Sequence, residues 1–200
     1  LRNTTSGGDI SFKAFRTTLS AAVTSTSATT IPLTTTSGFP LAGKILIDSE
    51  VIDYTGISDN NLTGCTRGAS RLVSGVSTST TAATHSSGAT VFFFTILVTD
   101  TDHGASDGDF VTFSSAVTLG GNFTTEVLNR EYQIEVVETS NTYTILAKSF
   151  SETTLTFTNV SSSADDSTGS VTQSSSVGAY QIVSGAISST ENTGWGASGW

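Results

Sequence analysis

The sequence contains one cysteine, two histidines, two prolines and no methionine among its 200 residues. The single cysteine, Cys65, excludes an internal disulfide. Together with two distant histidines, His85 and His103, it also excludes a structural zinc site, which needs four ligands. Because methionine is missing even at position 1, we expect the chain to be a piece of a longer polypeptide rather than a processed product.

Basic residues are also scarce, which limits the partners of the chain. Lysine and arginine together number 8 against 17 acidic residues, giving a net charge of −9 and a pI near 4.4. Nucleic acids and anionic membranes require clustered positive charge, so we expect neither as a partner. The longest apolar run, 91–98, is far shorter than the ~20 residues of a membrane-spanning helix.

Alternating apolar and polar residues are present in the stretch 44–68 and predict a β-meander. Ile45 and Ile47 would share one face of a strand, and Ile52 and Tyr54 would share a face of the next. The intervening segment 48–50, Asp-Ser-Glu, is typical of a turn. No stretch of the chain favours a helix, so the predicted fold class is all-β.

A second set of strands is predicted downstream of Thr90. The uninterrupted run 92–98 fits a strand covered on both faces. In the segment 132–136 the alternation places Tyr132, Ile134 and Val136 inward, with a partner strand at 142–147 across a turn at 138–141. We therefore expect one core that contains the following residues: Phe92, Phe94, Ile96, Tyr132, Ile134 and Ile145.

Several blocks of the sequence resemble β modules of virion structural proteins of tailed bacteriophages, notably marine ones. The first module is represented by IPLTTTSGFP (31–40), ILIDSEVIDYTG (45–56), LTGCTRG (62–68) and TTAATHSSGATV (80–91), and the second by HGASDGDFVTF (103–113), REYQIEVVETSNTYTI (130–145) and AYQI (179–182). The closing GWGASGW (194–200) is similar to the Gly-Trp repeat that follows such modules. The chain departs from the pattern between TRG and TTAATH, where it inserts residues 69–79.

The resemblance implies two small antiparallel β-sandwich or barrel-like modules in tandem. We expect an N-terminal arm or connector at 1–16, the first module at 17–91 and the second at 92–187. The Gly-Trp segment, 188–200, would lead into a continuation of the chain. Trp195 and Trp200 would then dock on another module or subunit, because a buried Trp contributes several kcal/mol at ~25 cal/mol/Å².

A few Cys, His, Asp and Glu residues of the chain are candidates for catalysis or metal binding, and each also has a structural interpretation. Cys65 with His85 or His103 could form a nucleophile and base, but a lone cysteine in a Thr/Gly context is typical of a buried apolar residue. The turn 100–109 carries Asp100, Asp102, Asp107 and Asp109, which could bind calcium. It lacks the closing Glu of an EF-type loop, which favours a polar turn. A glycosidase pair could come from Glu50, Asp53, Glu126, Glu131 and Glu135, although strand positions would turn these side chains outward. We therefore predict no catalytic, cofactor-binding or metal-binding residue.

Two functions remain, and both follow from the resemblance and the composition. The first is a non-enzymatic, tail-associated component of a virion, which would pack against copies of itself and other virion structural proteins. The second is an adhesin-like module that binds a host-surface glycan through a long loop or flap at 70–87 or through the junction of the modules. The predicted strands bury their Phe residues, and the predicted loops carry Ser and Thr rather than Trp or Tyr. This distribution of aromatic residues favours assembly.

Overall fold

Two-residue turns pair neighbouring strands into hairpins along the chain. The computed structural model describes residues 10–163 and the backbone of residues 169–175 and 179–183. Asp48, Asp59 and Ser74 begin three of these turns with positive φ angles of 52°, 52° and 47°. A positive φ at the first turn residue is typical of the primed hairpin turns, whose twist matches that of the flanking strands. The turn predicted at 48–50 is therefore confirmed at 48–49.

The regular secondary structure of the described residues is almost entirely strand, which confirms the all-β prediction. The one helix among them, α1 (Thr125–Leu128), is a single turn capped by Thr124. No described helix has the length and apolar character that crossing a membrane would need. The strands are β1 (Ile10–Thr18), β2 (Thr30–Pro32), β3 (Gly43–Ile47), β4 (Glu50–Tyr54), β5 (Gly56–Ser58), β6 (Asn61–Thr63), β7 (Ser70–Val73), β8 (Val76–Ser79), β9 (Thr90–Phe93), β10 (Thr95–Thr99), β11 (Phe110–Ser114), β12 (Glu131–Thr139), β13 (Thr142–Leu146), β14 (Lys148–Ser151), β15 (Thr156–Asn159), β16 (Gly169–Ser175) and β17 (Ala179–Val183).

A ten-stranded antiparallel sheet is built around β1. One edge of β1 pairs with β16, and the other edge pairs first with β10 and then with β9. Beyond β9 the sheet continues through β3 and β4, whereas beyond β10 it continues through β13, β12, β11 and β17. The sheet therefore forks where β9 gives way to β10. Residues 10–16, expected in a connector, instead form most of this central strand.

The fork arises within the apolar run 92–98, which was predicted as one continuous strand. The run bends at Phe94, and the pairing with β1 shifts there: Lys13 is opposite Leu97, but Arg16 is opposite Phe92. Two extra residues are thus accommodated on the β9–β10 side, as in a β-bulge. The Phe94 N–H donates to Lys44 O at 3.0 Å, and Phe94 O accepts from Ala147 N at 2.9 Å.

Ser162 bridges the gap that the bulge leaves between β1 and β9. Its side chain is buried; Oγ accepts from Phe93 N at 3.0 Å and donates to Phe15 O at 2.7 Å. Its own N–H donates to Phe93 O at 2.8 Å. Backbone groups that the shifted ladder leaves unpaired are satisfied in this way, which removes the cost of burying them.

Two hydrophobic clusters lie at the two ends of β1 and of the β9–β10 run. We call the predicted modules 17–91 and 92–187 the first block and the second block. Ile10 and Phe12 pack in the cluster of the second block, with Ile96, Tyr132, Ile134 and Ile145. Phe15 packs in the other cluster, with Ile45, Ile47, Ile52, Tyr54 and Phe93. These strands carry side chains of both clusters, so the sheet is continuous across the module boundary that we expected at 91–92.

The predicted core is confirmed for four of its six residues. Ile96, Tyr132, Ile134 and Ile145 are buried in one cluster. Phe94 is buried in a separate small cluster with Val51 and Ala69, and Phe92 is half-buried. Both deviations follow from the bend at Phe94, which interrupts the alternation on which the prediction rested. Val136 is likewise displaced from the core, because a bulge between Ile134 and Val136 shifts the alternation in β12.

The substitution Ile134→Ala should lower the free energy of unfolding by about 2–4 kcal/mol, because it leaves a cavity among fully buried side chains. Denaturant titration of the purified chain measures this change. Val117→Ala is the control, since Val117 is 46% exposed and its truncation should cost about 0.5 kcal/mol or less. Equal effects of the two substitutions would contradict the assignment of Ile134 to the core.

Candidate functional sites

Glu50 is the first residue of β4 and is completely buried. The alternation that turns Ile52 and Tyr54 towards the core turns Glu50 the same way, because residues two apart on a strand share a face. Opposite it on β3 lies Ile47, which is also buried. The expectation that strand carboxylates project outward is therefore wrong for Glu50. Its alternation with Ile52 and Tyr54 was the signal that could have located it.

Five hydrogen bonds compensate the buried carboxylate of Glu50. Arg67 donates from Nε to Oε1 at 2.8 Å and from Nη2 to Oε2 at 2.7 Å, in the bidentate geometry that suits guanidinium and carboxylate. The backbone N–H groups of Gly68 and Ala83 each donate at 2.9 Å. His85 Nε2 lies 2.8 Å from Oε2. We refer to Glu50, Arg67 and His85 with these backbone donors as the Glu50 network.

His85 is held between two carboxylates. Besides the contact with Glu50, its Nδ1 lies 2.8 Å from Asp48 Oδ2. The ring is buried, and the backbone of His85 exchanges hydrogen bonds with Val23 on the other side. Carboxylate oxygens only accept hydrogen bonds, so both contacts are satisfied when both ring nitrogens carry hydrogen. The ring therefore joins the β3–β4 turn to residues 83–89.

The electrostatics of the network favour a permanently ionised Glu50. Burial alone would raise the pKa of Glu50, but the hydrogen bonds from Arg67, Ala83, Gly68 and His85 outweigh it and lower this pKa to about 2. Four of the five N–H groups of Arg67 are engaged, since the guanidinium also donates to Ser25 O at 2.8 Å and to Ala83 O. The Glu50 carboxylate, which has no solvent access, thus clamps residues 67–68 and 83–85 to β4.

The Glu50 network connects three of the sequence motifs on which the resemblance to phage modules rests. Glu50 comes from ILIDSEVIDYTG, Arg67 from LTGCTRG and His85 from TTAATHSSGATV. A fourth motif, IPLTTTSGFP, contributes Ile31, Leu33 and Phe39 to the adjacent hydrophobic cluster. The chemistry-bearing residues of these motifs therefore specify how the first block folds.

The network also closes the base of the inserted segment 69–79. Gly68 and Ala83 lie on either side of the insertion, and both donate to the same carboxylate. Between them β7 and β8 form a hairpin, with the turn at Ser74 and Gly75. The prediction of a loop or flap at 70–87 is thus wrong for 70–79. Hydroxyl-rich sequence forms strands here because Leu72 of β7 and the turn residues Ser74 and Gly75 donate hydrogen bonds to residues 157–159 of the second block.

The structure does not bring Cys65 together with either histidine as a nucleophile and base. Cys65 is buried and donates to Leu62 O at 3.5 Å, and burial raises the pKa of its thiol to about 11. His103 is also buried: Nδ1 accepts from Ala105 N, Nε2 donates to Thr139 O, both at 3.0 Å, and the ring packs edge-on against Tyr143. Both ring nitrogens of His103 are thus engaged with backbone groups.

In the aspartate-rich turn, two side chains bind backbone groups. Asp109 Oδ2 accepts from Ser106 N at 2.9 Å, and Asp107 Oδ1 accepts from Val137 N at 2.6 Å. Such contacts are typical of Asp in turns. Within the described residues, no cluster of three or more His, Cys, Asp or Glu side chains is arranged to hold a metal ion.

A cleft of about 220 Å³ opens where the sheet forks. Asp53 and Glu135, two of the proposed glycosidase carboxylates, both line it. Glu50 lies on the opposite face of β4 from Asp53, and Glu126 and Glu131 are exposed elsewhere. The remaining lining residues are Ala42, Gly43, Lys44, Thr95, Val136, Thr144 and Leu146. We call this cavity the fork cleft.

The charged groups of the fork cleft are partly engaged with one another. Lys44 Nζ is ion-paired with Asp53 and donates to Ser70 O at 2.7 Å. Withdrawal from water raises the pKa of Glu135, an effect opposed by Lys44 and Lys148 and reinforced by Asp53. The cleft is thus a small recess whose exposed surface is mainly apolar, with Lys44, Asp53 and Glu135 as its charged groups and no aromatic side chain in its lining. It therefore offers a sugar ring no stacking partner.

Glu50→Gln should lower the free energy of unfolding by about 3–5 kcal/mol, because it leaves the Arg67 guanidinium buried without its carboxylate. The matched control is Asp53→Asn on the same strand. Its ion pair with Lys44 is 44% exposed on the Asp side and should contribute about 0–1 kcal/mol. Chemical denaturation of both variants measures the difference, and a Glu50→Gln effect no larger than that of Asp53→Asn would contradict the clamp.

Acid should weaken the clamp in a defined range. The pKa of Glu50 lies near 2 in the folded chain and near 4.5 when exposed, so its contribution is complete above about pH 4.5. As the pH falls from there towards 2, the unfolded chain takes up the proton first, and on the order of 3 kcal/mol is lost. Unfolding free energies measured across this range should converge for wild type and Glu50→Gln. A constant gap between them would contradict the lowered pKa.

Comparison with known proteins does not assign either site. No protein-family model, curated protein or solved structure matches the chain.

Proposed function

We propose that the chain is a non-enzymatic structural component of a tailed-bacteriophage virion, associated with the tail. It acts by packing against copies of itself and other virion structural proteins. The observation that carries this proposal is the Glu50 network, in which three of the resembling motifs each supply one buried polar residue. Glu, Arg and His are residue types that often serve catalysis, but Glu50, Arg67 and His85 stabilise the fold by hydrogen-bonding to one another.

The other candidate chemical groups support the same proposal. The Cys65 thiol has a raised pKa, which keeps it protonated and a poor nucleophile. His103 uses both ring nitrogens on backbone groups. A catalytic base must be able to reach a substrate proton, and neither ring nitrogen of His85 or His103 is available for that. Asp107 and Asp109 bind backbone N–H groups of their own turn and of β12.

The fold suits a mechanical role. The central strand β1 takes part in both hydrophobic clusters, so the two blocks share one hydrogen-bonded sheet. A continuous sheet transmits load through its ladder, whereas two modules on a linker would move independently. The Gly-Trp segment 188–200, with Trp195 and Trp200, lies outside the described residues, and its docking on a neighbouring subunit stays part of this proposal.

The alternative function, binding of a host-surface glycan, has the fork cleft in its favour. The cleft lies at the junction of the two blocks, where the sequence placed one of the two candidate glycan sites, and Asp53 and Glu135 could accept hydrogen bonds from sugar hydroxyls. Its lining contains no Trp, Tyr or Phe on which a sugar ring could stack. Assembly is therefore the better supported function.

The proposal is tested on virus particles. Antibodies raised against the purified chain should label tails of virions from the sample that encodes it, and mass spectrometry of purified particles should detect its peptides in many copies. The purified chain should show no hydrolase or transferase activity.

Contrary results would identify the alternatives. Absence from purified particles, together with glycan binding that Glu135→Gln abolishes, would favour the adhesin function. An activity that Cys65→Ala or His85→Ala removes from a folded chain would refute the non-enzymatic proposal.

A further inference from the structure

The inserted hairpin leaves β8 on the outside of the molecule. Its inner strand, β7, and the turn that follows it are fastened to the second block: Leu72 N donates to Asn159 Oδ1 at 2.7 Å, and the turn residues Ser74 and Gly75 donate to Thr158 Oγ1 at 3.0 Å and to Phe157 O at 2.8 Å. The outer strand, β8, has all four residues exposed. The strands β14, β15, β7 and β8 thus lie side by side, with β8 at the end.

The outer edge of β8 carries backbone groups that could pair with another strand. In an antiparallel pair, residues alternate between those that exchange hydrogen bonds and those whose N–H and C=O point away from the partner strand. Leu72 is opposite Ser77 and directs its N–H away from β8, towards Asn159. Ser77 and Ser79 therefore turn their N–H and C=O outward. Among the described strands, β7 alone pairs with β8.

Apart from its short length of four residues, this edge lacks the devices by which proteins protect exposed edge strands. The residues 76–79, Val-Ser-Thr-Ser, include no lysine, no proline and no inward-pointing charge, and the pairing with β7 has no bulge. The adjacent hairpin ends expose two large apolar side chains, Val76 at 64% and Leu155 at 74%. An open, unprotected edge beside apolar side chains is typical of a protein–protein contact.

Charge indicates which partner fits. The chain carries a net charge of −9, so two copies repel each other over most of their surfaces. The segments 72–84 and 153–163, which form the two hairpin ends and the edge strand, contain no Asp, Glu, Lys or Arg. A second copy can therefore approach this surface without opposing like charges at the contact.

We propose that the outer edge of β8 pairs with β8 of a second copy of this chain in antiparallel orientation. With Thr78 facing Thr78 of the second copy across a twofold axis, Ser77 and Ser79 would exchange backbone hydrogen bonds in both directions. The two β7–β8 hairpins would then join into one four-stranded sheet, covering Val76 and Leu155. This inference rests on the proposed function, since it names the surface through which copies would assemble.

The test is sedimentation velocity of the full 200-residue chain over a concentration series up to millimolar. Wild type should associate to a dimer, and Val76→Glu should weaken the association constant by about tenfold or more through like-charge opposition at the contact. Leu41→Glu is the matched control: Leu41 is 59% exposed, lies outside this surface, and its substitution adds the same charge.

A second variant pair tests the backbone edge itself. Ser77→Pro removes an outward N–H without breaking the ladder with β7, and should abolish dimerisation, whereas Ser77→Ala keeps the N–H and should dimerise like wild type. Circular dichroism checks that each variant is folded. Should Ser77→Pro fail to fold, Val76→Glu against Leu41→Glu still decides the question.

The outcomes separate this inference from the proposed function. A chain that stays monomeric at every concentration, or a dimer weakened equally by Val76→Glu and Leu41→Glu, overturns the β8 contact. A monomer that binds glycan through this surface overturns it as well. Dimerisation that depends on β8 supports the contact even when the chain is absent from virions, a result that would refute the proposed function alone.

Discussion

Desolvation of one carboxylate is the constraint on which the first half of this structure depends. A buried carboxylate is tolerated only when protein donors replace its hydration, and Glu50 obtains five such hydrogen bonds from Arg67, Gly68, Ala83 and His85. These donors lie 17 to 35 positions away in sequence. Satisfying one group therefore fixes the path of the segment that follows β6 and returns to β9.

The same requirement explains how this segment accommodates the β7–β8 hairpin in its middle. Because Gly68 and Ala83 are both held at Glu50, residues between them can extend outward without disturbing the cluster beneath. Loop length is a weak thermodynamic penalty once the two ends are fixed. The inserted residues then gain structure from the second block, through Asn159 and Thr158. The Glu50 network at the base and the contacts with Asn159 and Thr158 above it thus give residues 70–79 a defined structure.

The fork in the sheet answers a second constraint, namely that two hydrophobic clusters share one central strand. β1 buries Ile10 and Phe12 in one cluster and Phe15 in the other. The change of face occurs where Ala14 and Phe15, neighbours in sequence, are both buried, and the bulge at Phe94 provides the matching change on β9–β10. Ser162 satisfies the backbone groups left over. The fork cleft is the space between the diverging branches.

Local alternation and turn chemistry were sufficient to predict the all-β class, the β3–β4 and β12–β13 hairpins and the burial of Ile134 and Ile145, because a period of two and a turn are properties of adjacent residues. The same alternation pointed Glu50 inward, but its acidic side chain led to the opposite prediction, since nothing nearby in sequence shows which donors will meet it. Glu50 contacts Arg67 and His85 only in the folded chain. The bulges at Phe94 and Val136 could likewise not be predicted from the sequence, because a shift of register depends on the partner strand. Whether hydroxyl-rich residues such as those of β8 form a strand was decided by tertiary structure alone, through the support that β7 receives from residues more than 80 positions away.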